Sequence, residues 1–203
     1  MMFQKSAWMK NDTSEYWQQR YLATDTPWDI GGVSPALKRF IDGLSDSSIR
    51  ILIPGAGRAY EAAYLHAKGF DQTFVCDWAP HAFEQLVQTA PDFPEPHMLV
   101  ADFFSLDLKV DLILEQTFFC AIHPRQRAQY VQKVHDLLTD GGWIAGLLFD
   151  CTFDKEGPPF GGDREEYTSL FSELFSLVEL ESAVDSIRPR AGRELFFRFQ
   201  KRG

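Results

Sequence analysis

The chain has 203 residues and a formal net charge of −9, with 20 Lys and Arg set against 29 Asp and Glu, and 45% of it is hydrophobic, including 18 Phe. That is enough material for one globular domain with a sizeable core, and the acidity, relieved by no basic cluster, argues against nucleic acid as a partner. No apolar run approaches the roughly 18 residues of a membrane span, the opening MMFQKSAWMKND lacks the apolar centre of a secretory leader, and Cys76, Cys120 and Cys151 are too scattered for a disulfide framework or a thiolate metal site.

In chain order, the first stretch is rich in rings: Trp8, Tyr16, Trp17, Tyr21 and Trp28. From Ser14 the run SEYWQQRYLA reads as a helix capped by Ser14, with Trp17 and Tyr21 one turn apart on one face. Thr26-Pro27-Trp28-Asp29 with Gly31-Gly32 reads as a turn. These rings either pack on the edge of the core or form a lid over a bound ligand. Ser34-Pro35 opens a second amphipathic helix. Residues 1–45 are thus expected to be a lid and lead-in helix, and residues 46–203 an α/β core, within one domain.

Residues 51–53 form an apolar run of strand type, followed by the tight turn Pro54-Gly55-Ala56-Gly57. A helix over 58–68 follows, with Ala59, Ala62, Ala63 and Leu65 on one side. A second strand, 73–76, ends on Asp77. Pro80 opens a helix to about Thr89, and the strand 98–100 runs into Ala101-Asp102-Phe103. A fourth strand, 110–114, ends at Glu115-Gln116-Thr117, followed by the apolar wall Phe118 to Ile122. Pro124 opens a long helix that Gly141-Gly142 is expected to stop. A strand over 143–149, a polar loop over 150–164, a helix over 165–175 and strands near 177–184 and 193–200 complete the chain. The alternation is that of a doubly wound, mostly parallel sheet.

The chemistry is concentrated at the first turn. Gly55 and Gly57 let the backbone bend sharply and let a ligand approach. Asp77, 20 residues beyond Gly57, is placed to accept from both hydroxyls of a ribose. A dinucleotide site wants a further glycine near position 60. Tyr60 and Glu61 stand there instead, and an acidic first helical turn disfavours a pyrophosphate. The pattern therefore points to a cofactor with a ribose and no phosphates, S-adenosylmethionine. Asp102 is read either as a partner for the adenine amino group, with Phe103 stacking on the base, or as a loop cap.

The five histidines show no paired-ligand spacing, so no metal is expected. His123, just past the wall after the fourth strand, is a candidate base. Neither a Gly-x-Ser-x-Gly elbow nor a Gly-Lys-Ser/Thr phosphate loop is present.

Taken together, Trp17-x-x-x-Tyr21, Thr26-Pro27-Trp28-Asp29-x-Gly31, Ile53-Pro54-Gly55-Ala56-Gly57, Asp77, Asp102-Phe103, Thr117 to Pro124 (TFFCAIHP) and Gly157-Pro158-Pro159-Phe160 resemble the thiopurine S-methyltransferase superfamily, and within it the thiol and halide methyltransferases. The resemblance implies an α/β fold of Rossmann-like, class I methyltransferase type: a doubly wound, seven-stranded, mostly parallel sheet with an N-terminal helical lid. It implies S-adenosylmethionine as cofactor and S-adenosylhomocysteine as product. Trp17, Tyr21 and Trp28 would lie beside the cofactor, Gly55 and Gly57 at its methionine portion, Asp77 at the ribose, and Asp102 with Phe103 at the adenine. Gln116 would sit near the transferred methyl, where the plant enzymes have Tyr and the thiopurine enzymes Arg. Glutamine offers neither a phenol nor a cation. The expected acceptor is a small thiol, thiopurine-like compound or halide. O- or N-methylation of a small molecule, or cofactor binding without turnover, remain as alternatives. A monomer in the cytoplasm, engaging neither nucleic acid nor membrane, completes the expectation.

Overall fold

The computed structural model describes residues 13–155 and 157–203; Trp8, one of the expected ring residues, lies outside them. The strands are β1 (Ile51–Pro54), β2 (Thr73–Asp77), β3 (Met98–Val100), β4 (Val110–Gln116), β5 (Leu138–Phe149), β6 (Phe175–Ser182) and β7 (Glu194–Lys201). They form one seven-stranded sheet in the order β3-β2-β1-β4-β5-β7-β6. All neighbours from β3 to β5 run parallel, and β7 is antiparallel to both β5 and β6. This is the doubly wound sheet the sequence led us to expect.

Because successive strand residues face opposite sides, each central strand feeds two cores. Leu52 and Ile113 join one apolar layer with Tyr130, Phe171 and Phe197. Ile51, Ile53, Leu112 and Leu114 join another with Ala62, Leu65 and Phe83. Helices α2 (Pro35–Asp42), α3 (Tyr60–Ala67), α4 (Glu84–Thr89), α5 (Arg127–Leu137) and α6 (Arg164–Phe171) flank the sheet. The strand order reverses between β1 and β4, and the crevice outside the carboxyl ends of such strands is where ligands bind in open α/β sheets.

Three boundaries differ from the sequence reading. Helix α1 spans Ser14–Leu22, but its cap is Thr13, whose Oγ1 accepts from the Tyr16 N–H at 3.2 Å. Helix α5 ends at Leu137, well before Gly141-Gly142, because Leu138 is buried and already pairs with Val110. The register then shifts between Val110 and Leu112, and Thr139 bonds Asp111 across the irregularity at 2.8 Å. The glycines therefore sit inside β5 and do not end a helix. Helix α6 stops at Phe171, and Phe175 already opens β6. Among the described residues, no helix is long and apolar enough to cross a membrane.

Candidate active site

The turn after β1 is built as its sequence demands. Gly55 and Gly57 both have φ of +55°, in the left-handed region. A Cβ on Gly55 would lie 2.7 Å from Cγ and 2.8 Å from Cβ of Phe118, and one on Gly57 would lie 3.2 Å from the Tyr21 hydroxyl. The turn is thus pressed between the wall after β4 and the rings of α1. Gly55→Ala should cost about 2–4 kcal/mol in urea unfolding, the sum of a left-handed alanine and an overpacked contact. Gly31 has φ of +75° and nothing within 4 Å of its would-be Cβ. Gly31→Ala should therefore cost only the first part, and equal losses for the two variants would refute the packing argument.

Asp77 ends β2 directly beside this turn. One carboxylate oxygen accepts from the Gly57 N–H at 3.0 Å and the other from the Ala79 N–H at 2.9 Å. Burial raises its pKa to about 6, against the pull of the Ala79, Gly57 and Trp78 amides. Each oxygen keeps a lone pair for a further donor.

The aromatic opening packs over the same place. Trp28 meets Trp17 edge-on at 5.3 Å and Tyr21 at 5.8 Å. The Arg20 guanidinium lies 4.9 Å from the Trp28 ring and that of Arg58 lies 5.4 Å from Tyr21. Gln18 bonds the His81 ring, which fastens α1 to the segment after β2. Burial, and then the charge of Asp77, hold the Tyr21 phenol far above its ordinary range. It is a neutral hydrogen-bonding group, not a base.

After β3, Asp102 proves to be a cap as well as a wall residue. Its Oδ1 accepts from the Phe104 N–H at 2.9 Å, holding the short turn Phe103–Ser105. Phe103 is only 3% exposed and packs on Phe118 and Tyr130, so most of its ring belongs to the core. The half-buried Phe104 beside it lines the cavity too.

At the end of β4 the fully buried Glu115 accepts from the N–H groups of Phe118 and Phe119 at 2.8 and 2.9 Å, and from the Tyr130 hydroxyl at 2.6 Å. It fixes a turn in which Thr117 has φ of +60°.

These elements enclose a cavity of about 450 Å³, within the range of small-ligand sites. Of the residues singled out in the sequence, Trp17, Tyr21, Trp28, Gly55, Asp77, Asp102 and Phe103 line it. Gly57, Gln116 and His123 do not. Gly57 acts behind the wall through its amide on Asp77. Gln116 is half-buried, and its Oε1 is buried without a partner among the described residues. His123 caps the turn Pro124–Gln126, its Nδ1 accepting from the Arg125 N–H at 3.2 Å. Its ring meets Phe160 at 5.3 Å.

Cys76 and Cys120 also face the cavity, but burial pushes both thiols up to about 12, which leaves no thiolate nucleophile. Sequence reasoning missed Arg20, Phe149, Phe153, Arg190 and Arg193 in the wall. The available signal was the run Arg188-Pro-Arg-Ala-Gly-Arg193 just before an antiparallel last strand. Such a strand brings its amino end to the edge where the parallel strands finish.

The donor set suits a nucleoside without phosphates. The turn is a cradle that a Cβ would fill, and the carboxylate beside it has lone pairs for two hydroxyls. The first turn of α3 carries the buried Glu61, bonded to the Ser34 N–H at 3.0 Å, where a pyrophosphate would need free amides and no anion.

A sequence model of the family described as thiopurine S-methyltransferase matches residues 12–201. The chain belongs to the thiopurine S-methyltransferase family. Within it, the chain is 30% identical to the probable thiol methyltransferase 2 of Arabidopsis thaliana, over 95% of this chain and 88% of that one. It is 25% identical to the thiopurine S-methyltransferase of Vibrio vulnificus, over 93% and 94% of the two chains. Among solved structures, the Burkholderia thailandensis 1,6-didemethyltoxoflavin-N1-methyltransferase, with S-adenosylhomocysteine bound, superposes with a TM-score of 0.73 at 20% identity, covering 94% of this chain and 87% of that one. At that identity the superposition speaks for the fold, which this family member shares as a Rossmann-like class I methyltransferase.

Proposed function

We propose that this family member transfers the methyl group of S-adenosylmethionine to a small soft nucleophile, a thiol, thiopurine-like compound or halide. The observation that carries the reading is a ribose-type carboxylate and a glycine cradle opening into a ring-lined cavity whose only carboxylates, Asp77 and Asp102, stand where the cofactor is expected. The cofactor, when bound, supplies a methyl on a sulfonium. Asp77 holds the ribose hydroxyls, the Gly55–Gly57 turn takes the methionine portion, and Asp102 with Phe103 and Phe104 takes the adenine. Trp17, Tyr21 and Trp28 belong to a lid over the α/β core of a single domain, and a ring face beside a sulfonium gains cation–π attraction. Gln116, which precedes the cavity-lining Thr117 and does not itself line the cavity, we assign to the strand end beneath the transferred methyl. His123 already serves as a cap and is left out of the chemistry.

The acceptor end explains the soft nucleophile. Apart from Asp77 and Asp102, the carboxylates we assign to the cofactor, the titratable side chains in the wall are a phenol and thiols raised by burial, and arginines, none of them suited to act as a base. An alcohol would need such a base; a thiol that ionises unaided, or a halide, would not. The chain's work is then alignment and exclusion of water.

Calorimetry with S-adenosylmethionine and S-adenosylhomocysteine, then turnover with a panel of thiols, thiopurines, halides, phenols and amines, tests this. Methylation confined to phenols or amines would sink the acceptor class. Tight binding with no turnover anywhere in the panel would mark a non-catalytic binder. We place the protein in a reducing compartment, the cytoplasm, a reading supported by three free cysteines, two of them buried, and take it as a monomer; fractionation and light scattering check the two.

A further inference from the structure

Three guanidinium groups line the cavity, in a chain whose net charge is −9. Two are committed. Arg20 donates to the Asp25 carbonyl at 2.9 Å and to the Tyr16 hydroxyl at 2.8 Å, and pairs with the Asp25 carboxylate. Arg190 donates to the Trp28 carbonyl at 2.9 Å and pairs with Glu194 at 3.4 Å, so it ties the lid to the start of β7. Arg193 is different. It is exposed, its guanidinium sits 5.0 Å from the Phe153 ring centre, and among the described residues it forms no side-chain hydrogen bond or ion pair.

Its surroundings are ordered. Phe153 meets Phe149 edge-on at 5.0 Å and 90°, and Arg190 covers Phe149 at 5.6 Å. Arg193, Phe153, Phe149 and Arg190 thus form a continuous stack in one wall, and Pro158 and Pro159 line the cavity beside it. A guanidinium resting over a ring face, with no hydrogen-bond partner of its own, has N–H groups to offer a carboxylate in two parallel hydrogen bonds. The two rings between the guanidinium groups are apolar, so they accept the hydrocarbon part of the same ligand. A bare halide or thiocyanate has no such part.

Resting on the methyltransferase reading above, we propose that the acceptor is an organic thiol bearing a carboxylate, and that Arg193 is the specificity-determining residue that reads the carboxylate while the thiol points inward. Arg193 touches the acceptor at the end remote from the reacting sulfur, so it sets affinity and leaves the methyl-transfer step alone.

The test uses matched pairs in the wild-type protein and in Arg193→Gln and Arg193→Lys. In the presence of S-adenosylhomocysteine, calorimetry compares 3-(methylthio)benzoate with thioanisole. Steady-state assays with S-adenosylmethionine compare 3-mercaptobenzoate with thiophenol. The wild type should bind the carboxylate compound about ten-fold more tightly and show a KM lower by the same factor, a preference that shrinks in high salt because the group is exposed. Arg193→Gln should erase the preference in both measurements. Arg193→Lys should keep part of it. Turnover of thiophenol with no preference for the carboxylate, or a preference that survives Arg193→Gln, overturns the proposal and leaves the methyltransferase reading standing. An Arg193-dependent preference in binding with no methyl transfer to either thiol upholds the carboxylate site and overturns the methyltransferase reading.

Discussion

Asp77→Ala is expected to weaken S-adenosylmethionine binding at least about 100-fold, since two hydrogen bonds to a charged acceptor are lost at roughly 1.5–3 kcal/mol each. Thermal stability should fall as well, because the Gly57 and Ala79 amides lose their acceptor, at about 1–3 kcal/mol for each, offset in part by relief of the buried carboxylate's desolvation. The same residue sets a pH dependence. With its pKa raised to about 6, Asp77 is protonated below that pH and loses part of its accepting capacity, so cofactor affinity should fall as pH is lowered through about 6 and level off above it. Asp77→Asn should bind weakly and without that inflection. Calorimetry from pH 5 to 8 reads both effects; a wild-type affinity that is flat across the range, or that improves on acidification, would remove Asp77 from the ribose.

The part of this site that could be read from the sequence is the part made by local chain chemistry. An apolar triplet, two glycines in a turn and an acidic residue at the next strand end define β1, the cradle and Asp77 within 28 residues of one another, and each signal is a near neighbour of the next. The boundary between α5 and β5 was not legible, because it is settled by Leu138 pairing with Val110 across the sheet, against the local cue of Gly141-Gly142. Arg190 and Arg193 were missed for a related reason: only the antiparallel arrangement of β7 brings them to the active edge. Gln116 was placed by its position at the end of β4 and by resemblance, and His123 by its position just past the apolar wall, and neither lines the cavity. Asp102 was open between ligand and cap, and its bond to Phe104 shows that it caps while still facing the cavity.

Glu115→Ala should be among the most destabilising single substitutions in the chain. It strands the Phe118 and Phe119 amides and the Tyr130 hydroxyl in a dry interior, at about 1–3 kcal/mol for each group, so a loss of roughly 3–5 kcal/mol in urea unfolding is expected after partial relaxation. Glu115→Gln separates charge from hydrogen bonding, because its carbonyl can still accept from both amides. Burial raises the Glu115 carboxyl from 4.5 to about 7 despite the Tyr130, Phe119 and Phe118 bonds that favour ionisation. The folded chain therefore holds this proton more tightly than the unfolded chain between those values, and stability falls as pH rises from about 4.5 to 7. Subtracting the Glu115→Gln curve from the wild-type curve isolates this contribution from that of Asp77. The difference should grow in favour of the glutamine variant with rising pH, to about 3 kcal/mol, and level off above pH 7. The consequence for activity follows from Phe118, which the Glu115 turn presses against Gly55. If the turn is what shapes the acceptor wall, Glu115→Gln should keep most of the wild-type kcat and Glu115→Ala should lose it even in the fraction that remains folded. Equal kcat for folded Glu115→Ala and wild type would show that the cavity wall does not depend on this buried carboxylate.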